Sequence, residues 1–174
     1  MTTILSLCGS LRAASLNAML LRVAARLAPP GIAVIAGPSL GTLPLFNPDL
    51  EAGDPPAVAA LRSRILATDA LLIASPEYAH GVSGVMKNAL DWMVGNESFI
   101  DRPVALLNAS PRASIAQAAL RETLATMSAR IVDAACVAVP LLGGGYSEES
   151  LIADARLAAL LVSALRALAD AAAR

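Results

Sequence analysis

The chain has 174 residues, a formal net charge of −1, and 56% hydrophobic against 16% charged residues. That length buries a core without disulfides or metal, and the near-neutral balance excludes the basic stripe of a nucleic-acid binder and the polybasic patch of a membrane-surface protein. No run of about 18 uncharged apolar residues occurs, so no spanning helix is expected; even the apolar tail over 151–173 is interrupted by Asp154, Arg156, Arg166 and Asp170.

Residues 3–8 are apolar and β-branched enough for a buried strand, and 16–28 follow with a helical pattern. Residues 32–36 read as a second strand, and 37–56, rich in Pro, Gly, Asn and Asp, as a long loop. A helix over 57–67, a strand over 70–74, a helix over 84–94, a strand over 104–108 and a helix over 115–128 come next. The fifth strand falls within 131–139, Gly143 to Gly145 read as a flexible turn, and a helix over 148–173 closes the chain. Five β units alternating with five α units predict a parallel sheet covered on both faces, in one domain over 1–174. In the last helix Arg156, Ser163, Arg166, Asp170 and Arg174 share one narrow face, which predicts burial of the rest against the sheet or another subunit.

The N-terminus lacks the basic flank of a signal peptide, and the two cysteines, Cys8 and Cys136, lie in apolar runs. Packed thiols in a reducing cytoplasm are expected. One His and two Cys do not make a usual structural zinc site, so no metal is expected. The single Lys, the single His, the single Trp and one of two Tyr all fall between residues 78 and 92.

In sheets of this type, ligands bind at the carboxyl ends of the strands where strand order reverses. After the first strand comes Cys8-Gly-Ser-Leu-Arg-Ala-Ala-Ser-Leu-Asn17. Gly9 allows a tight turn, Ser10, Ser15 and Asn17 offer neutral donors, Arg12 offers a charged one, and the helix N-terminus points free N–H groups at the same spot. The loop lacks the Gly-Lys-Ser/Thr of a phosphate-binding ATPase loop and the G-x-G-x-x-G of a dinucleotide fold. A phosphomonoester fits better than a pyrophosphate. The plainer alternative is that Ser15 or Asn17 caps the helix and Arg12 is solvated.

After the third strand the chain reads Ser75-Pro-Glu-Tyr-Ala-His-Gly-Val-Ser-Gly-Val-Met-Lys-Asn-Ala-Leu-Asp-Trp92. Together with 9–17, this resembles the NAD(P)H-dependent FMN reductase family of flavodoxin-like proteins, which includes quinone, chromate and azo-dye reductases. The family pattern runs approximately S-P-E-Y-N-x-x-x-P-G-x-L-K-N-A-x-D-W. Ser75 to Tyr78, Gly84, Lys87 to Ala89, Asp91 and Trp92 match it; Ala79, Ser83 and Met86 stand for the usual Asn, Pro and Leu. Ser110-Pro111 matches a third family element, with Arg112 and Ala113 in place of the glycines that usually follow.

The resemblance implies a flavodoxin-like three-layer sandwich, with a five-stranded parallel sheet in the order 2-1-3-4-5. It implies FMN as cofactor, NADPH or NADH as cosubstrate, and a small-molecule electron acceptor of quinone, azo, nitro or metal-oxyanion type. FMN phosphate would sit on Ser10, Arg12, Ser15 and Asn17, and the flavin ring against Pro76, Glu77 and Tyr78 with Ser110 nearby. Leu16, Ala79 and Gly81 complete the candidate cofactor-binding set. No catalytic side chain is assigned, because hydride passes through the flavin. A homodimer or homotetramer is implied. The alternatives are an FMN-binding electron carrier, which the sparse acidity and 3% aromatic content disfavour, or a non-catalytic redox sensor.

Ala79 removes an amide from the turn, and Ser83 is expected to loosen a loop that Pro would stiffen. His80 is either a simple exposed side chain or a contact for the acceptor. Lys87 and Asp91, four apart, read as an intrahelical pair, and Trp92 as a core or subunit contact. The Glu77 side chain is left between influencing the flavin and a capping role.

Overall fold

The computed structural model describes residues 1–110, 112–139, 141 and 145–174. Alternation of apolar side chains decides the layers. In β1 (Thr2–Cys8) Ile4 faces one side and Leu5 and Leu7 the other; in β3 (Ala70–Ala74) Leu72 faces the first side and Leu71 and Ile73 the second. Every one of these residues is buried, as expected of strands covered twice.

The strands β1, β2 (Ile32–Ala36), β3 and β6 (Pro103–Asn108) pair in parallel in the order β2-β1-β3-β6. On one face lie α1 (Leu16–Arg26) and the C-terminal helices α5 (Glu148–Ala153) and α6 (Ala155–Ala172). On the other lie α2 (Pro56–Leu66), α3 (Gly84–Val94) and α4 (Ser114–Thr126). The expected order 2-1-3-4-5 is therefore present, and it defines a flavodoxin-like, doubly wound fold. No helix of the described residues is long and apolar enough to cross a membrane.

Four local readings change. The loop over 37–56 contains two short 3-10 turns, Leu40–Thr42 and Pro48–Gly53. Asn88 and Trp92, one turn apart on α3, hold it: Asn88 accepts from the Phe46 amide and donates to Pro44 O, and Trp92 Nε1 donates to Pro44 O at 2.8 Å. Trp92 is a core residue with an edge-to-face contact to Phe46.

The fifth strand is split. Two short strands, β7 (Arg130–Ile131) and β8 (Val137–Ala138), pair successively with β6, and a 3-10 turn over Asp133–Ala135 bulges between them. The β6 amide left over at Leu106 donates to the Cys136 thiol at 3.4 Å, so the interruption strands no donor there. Both cysteines are free.

The closing helix also breaks. Asp154 leaves helical geometry (ψ 100°) and accepts from the amides of Arg156 and Leu157, capping α6. An apolar period that runs through a residue does not show whether that residue's side chain captures the backbone. Within the monomer α6 is only half buried: Leu157, Leu161, Leu165 and Leu168 face inward, while Leu160 is 42% exposed.

Finally, a hairpin of β4 (Glu77–Tyr78) and β5 (Gly81–Val82) stands where the sequence suggested only a loop. The reading of Gly143 and Gly144 as a turn lies outside the described residues; Gly145 has φ +90°.

Candidate functional site

The order β2-β1-β3-β6 opens a crevice at the carboxyl ends of β1 and β3, where the chain winds outward in both directions. A cavity of about 290 Å³ fills it. Leu16 and Asn17 line it from the start of α1, Ser75, Pro76 and Glu77 from the loop after β3, and Asn108 and Ser110 from the end of β6. The site therefore collects the three loops that the sequence singled out.

Gly9 permits the loops after β1 and β3 to touch. A Cβ there would lie 2.4 Å from Ser75 Oγ and 2.9 Å from Ser83 Oγ. The loop then runs exposed through Arg12 to Ser15, whose buried hydroxyl accepts from the Ala18 amide at 3.2 Å and caps α1. So Ser15 does the capping that was weighed against a ligand role. The amides of Leu16 and Asn17, the first two of α1, have no acceptor among the described residues. Asn17 Oδ1 is buried without a partner. Arg12 is exposed and pairs with no acid among the described residues.

Ser10 departs from the rest of the predicted set. Its hydroxyl accepts from the Arg12 amide, and its side chain lines a separate cavity of about 400 Å³ between α1 and the end of β2. Arg22 borders that cavity too, and its pairing with Glu148 holds the Glu148 carboxyl below the usual range, with a smaller contribution from Arg26.

The loop after β3 is heavily braced. Ser83 is buried, pairs with the Ser75 hydroxyl at 3.3 Å and accepts from the Met86 amide, capping α3. Against the loosening expected of Ser83 stand a cap and a hydroxyl contact, both made by its side chain. Glu77 reaches across to α4, where Oε2 accepts from the Ala116 amide at 2.8 Å, while Oε1 lies 3.2 Å from His80 Nδ1. The N-cap of α4 is Ala113, which has no side-chain acceptor, so Glu77 supplies the cap from another element. Tyr78 is 56% exposed, and Ala79 and His80 form the turn of the hairpin with φ +49° and +60°. Tyr78, Ala79 and Gly81 sit on the hairpin outside the lining of the cavity. Lys87 and Asp91 form the intrahelical pair.

Asn108 was not singled out in the sequence. Its Oδ1 accepts from the Ser110 amide at 3.0 Å and its Nδ2 donates to Ala113 O, shaping the loop after β6. A polar residue closing an apolar strand at the ligand edge was the available signal. Arg112 and Leu141 also line the cavity unforeseen; Pro111 lies outside the described residues.

A cavity at the switch point, with a helix N-terminus on its wall, defines a flavodoxin-like domain suited to a phosphorylated ligand. Residues 2–142 match the family model described as NADPH-dependent FMN reductase, and the chain belongs to that family. It is 35% identical to an NAD(P)H-dependent FMN reductase of Pseudomonas aeruginosa over 95% of this chain and 92% of the other. A quinone reductase of Escherichia coli is 36% identical over 62% of this chain and 59% of the other. Among solved structures, the flavoenzyme NAD(P)H:(acceptor) oxidoreductase FerB from Paracoccus denitrificans superposes with a TM-score of 0.87 at 30% identity, covering 99% of this chain and 98% of that one.

Proposed function

We propose that residues 1–174 form one FMN-binding domain that oxidises NADPH or NADH and reduces a small acceptor of quinone, azo, nitro or metal-oxyanion type. The observation that carries this reading is the unsatisfied wall of the cavity. Two helix amides without acceptors among the described residues call for a ligand with anionic oxygens, and the phosphate of FMN supplies them. The residues fit the group: Arg12, Leu16 and Asn17 would hold the phosphate and the first ribityl hydroxyls, and Pro76, Glu77 and Ser110 would border the ring. FMN then supplies hydride acceptance and donation, which needs no protein acid or base.

The chain's own part is to position. Glu77, tied to α4 and to His80, fixes the hairpin edge of the site, and Ser75 and Ser83 fix the floor. Ser10 and Ser15, whose hydroxyls accept from the Arg12 and Ala18 amides, shape the loop at the phosphate end, and Tyr78, Ala79 and Gly81 the hairpin beside the ring. We place the protein in the cytoplasm, consistent with two free thiols, as a homodimer or homotetramer, consistent with the outward Leu160.

The test is direct. The purified protein, reconstituted with FMN, should show flavin absorbance that bleaches within seconds when NADPH or NADH is added without oxygen. Failure to bind FMN overturns the reading, and bound flavin that neither nucleotide reduces assigns an electron carrier or sensor instead.

A further inference from the structure

One charged group on the wall of the cavity has no part in the cofactor reading. Arg112 follows Ser110 on the loop after β6. Its amide donates to Ser110 Oγ, but its guanidinium is exposed and has no partner among the described residues. The acid on this lining, Glu77, is already engaged with Ala116 and His80. Arg112 is the single cation lining this cavity among the described residues.

Its position separates it from the phosphate end. The loop carrying Leu16 and Asn17 follows β1, and the loop carrying Arg112 follows β6; β3 lies between them. Two strand spacings put the roots of these loops roughly 10 Å apart. FMN carries one phosphate, which the α1 N-terminus and Arg12 claim. A second, unpaired guanidinium across the crevice and open to solvent then faces what enters after the cofactor. A guanidinium is permanently charged and forks onto phosphate, sulfonate and carboxylate oxygens.

We propose that Arg112 is a specificity-determining residue that recognises an anionic group on the second ligand of this site: either a phosphate of the nicotinamide nucleotide or an oxyanion of the acceptor. The inference rests on reading the cavity as the FMN site. It makes this chain favour charged over neutral partners, because the attraction acts both on encounter and in the bound complex.

Arg112→Gln, Arg112→Lys and a control, Arg166→Gln, make the test. Arg166 borders a surface depression with Thr2 and Gly31 at the opposite edge of the sheet and alters net charge equally. Steady-state kinetics would use NADPH and NADH, each with a neutral benzoquinone and with a sulfonated azo dye. If the nucleotide phosphate is the ligand, Arg112→Gln raises KM for the nucleotides roughly tenfold with either acceptor, the loss of a hydrogen bond to a charged group. If the acceptor oxyanion is the ligand, KM rises for the azo dye and the ratio of dye to quinone turnover falls. In either case Arg112→Lys recovers part of the loss, the salt dependence flattens, and Arg166→Gln behaves as the parent.

Two outcomes overturn the proposal. One is unchanged KM for all four substrates with FMN bound. The other is an FMN affinity weakened tenfold while riboflavin affinity holds, which would move Arg112 into the cofactor cradle. Should the protein bind no FMN at all, the functional reading fails separately; calorimetric titration of the apoprotein with ADP and with benzenesulfonate then decides. Binding of either that Arg112→Gln abolishes sustains the anion site, and binding of neither, or binding indifferent to the substitution, ends it.

Discussion

The loop after β1 leaves its polar groups open, whereas the loop after β3 ties almost all of its own into the fold. The Arg12 guanidinium, the first two amides of α1 and Asn17 Oδ1 have no partners among the described residues. Across the crevice, Ser75, Glu77, His80 and Ser83 are hydrogen-bonded to one another, to α3 or to α4. The same crevice thus has one wall whose polar groups are paired within the fold and another that leaves donors free for a ligand. Substitutions on the first wall should act on folding, and those on the second on binding.

The two walls meet at Gly9, so the largest effect is expected there. In Gly9→Ala the new methyl would sit 2.4 Å from Ser75 Oγ and 2.8 Å from Ser75 Cβ, while the residue 9 amide is tied to Ala74 O at 2.8 Å. Overpacking of this kind costs about 3 kcal/mol. Urea denaturation should show that loss, together with weaker FMN binding, because both loops shift. A stability within about 0.5 kcal/mol of the parent, the ordinary range of a surface change, would mean that the loops part without strain.

Arg12→Ala tests the open wall alone. It should weaken FMN binding by about 1.5–3 kcal/mol, the worth of a hydrogen bond to a charged group, and leave folding nearly unchanged. Riboflavin, without the phosphate, should lose far less. Equal losses for the two ligands in calorimetric titrations would show that Arg12 does not meet the phosphate.

Glu77→Ala tests the braced wall. It removes the side-chain cap of α4 seen among the described residues and leaves the Ala116 amide without its acceptor. The expected cost is about 1–2 kcal/mol in denaturant unfolding, with faster amide exchange in the first turn of α4. Glu77→Gln keeps an acceptor oxygen but loses the charge at the helix N-terminus, and should cost about half as much. An unaltered α4 in both variants would remove Glu77 from the framework.

This contrast also shows what sequence could reveal. The parallel strands were legible because strands buried on both faces read as unbroken apolar runs; their order came with the family resemblance, and the ligand loops from the rule that such sheets bind at their carboxyl ends. The cluster of rare residues over 78–92 was legible too, but its meaning was not. Lys87 and Trp92 serve the helix, Trp92 by gripping Pro44 from 48 residues away. Such long-range partners leave no local pattern. The same holds for Glu77, whose acceptor role depends on α4 arriving with an alanine at its N-cap. Asp154 was visible as a residue, yet whether its carboxylate breaks an apolar period is settled by the backbone it captures.

The smallest expected effect is a gain. Ala79 and His80 are the two central residues of the hairpin, since Tyr78 pairs with Gly81. Both have positive φ, as a turn matched to the right-handed twist of its strands requires. An alanine in that region pays for the approach of Cβ to the next carbonyl, about 1–2 kcal/mol, whereas asparagine tolerates it by bonding locally. Ala79→Asn should therefore raise stability by about 0.5–1 kcal/mol, and the melting temperature by roughly one to three degrees for a chain of this size. The braced wall predicts that this gain comes with little change in FMN affinity, because residue 79 lies on the hairpin and outside the cavity lining. A tighter cofactor complex with no gain in the apoprotein would reverse the assignment, placing the side-chain amide on the ligand and making the turn part of the open wall.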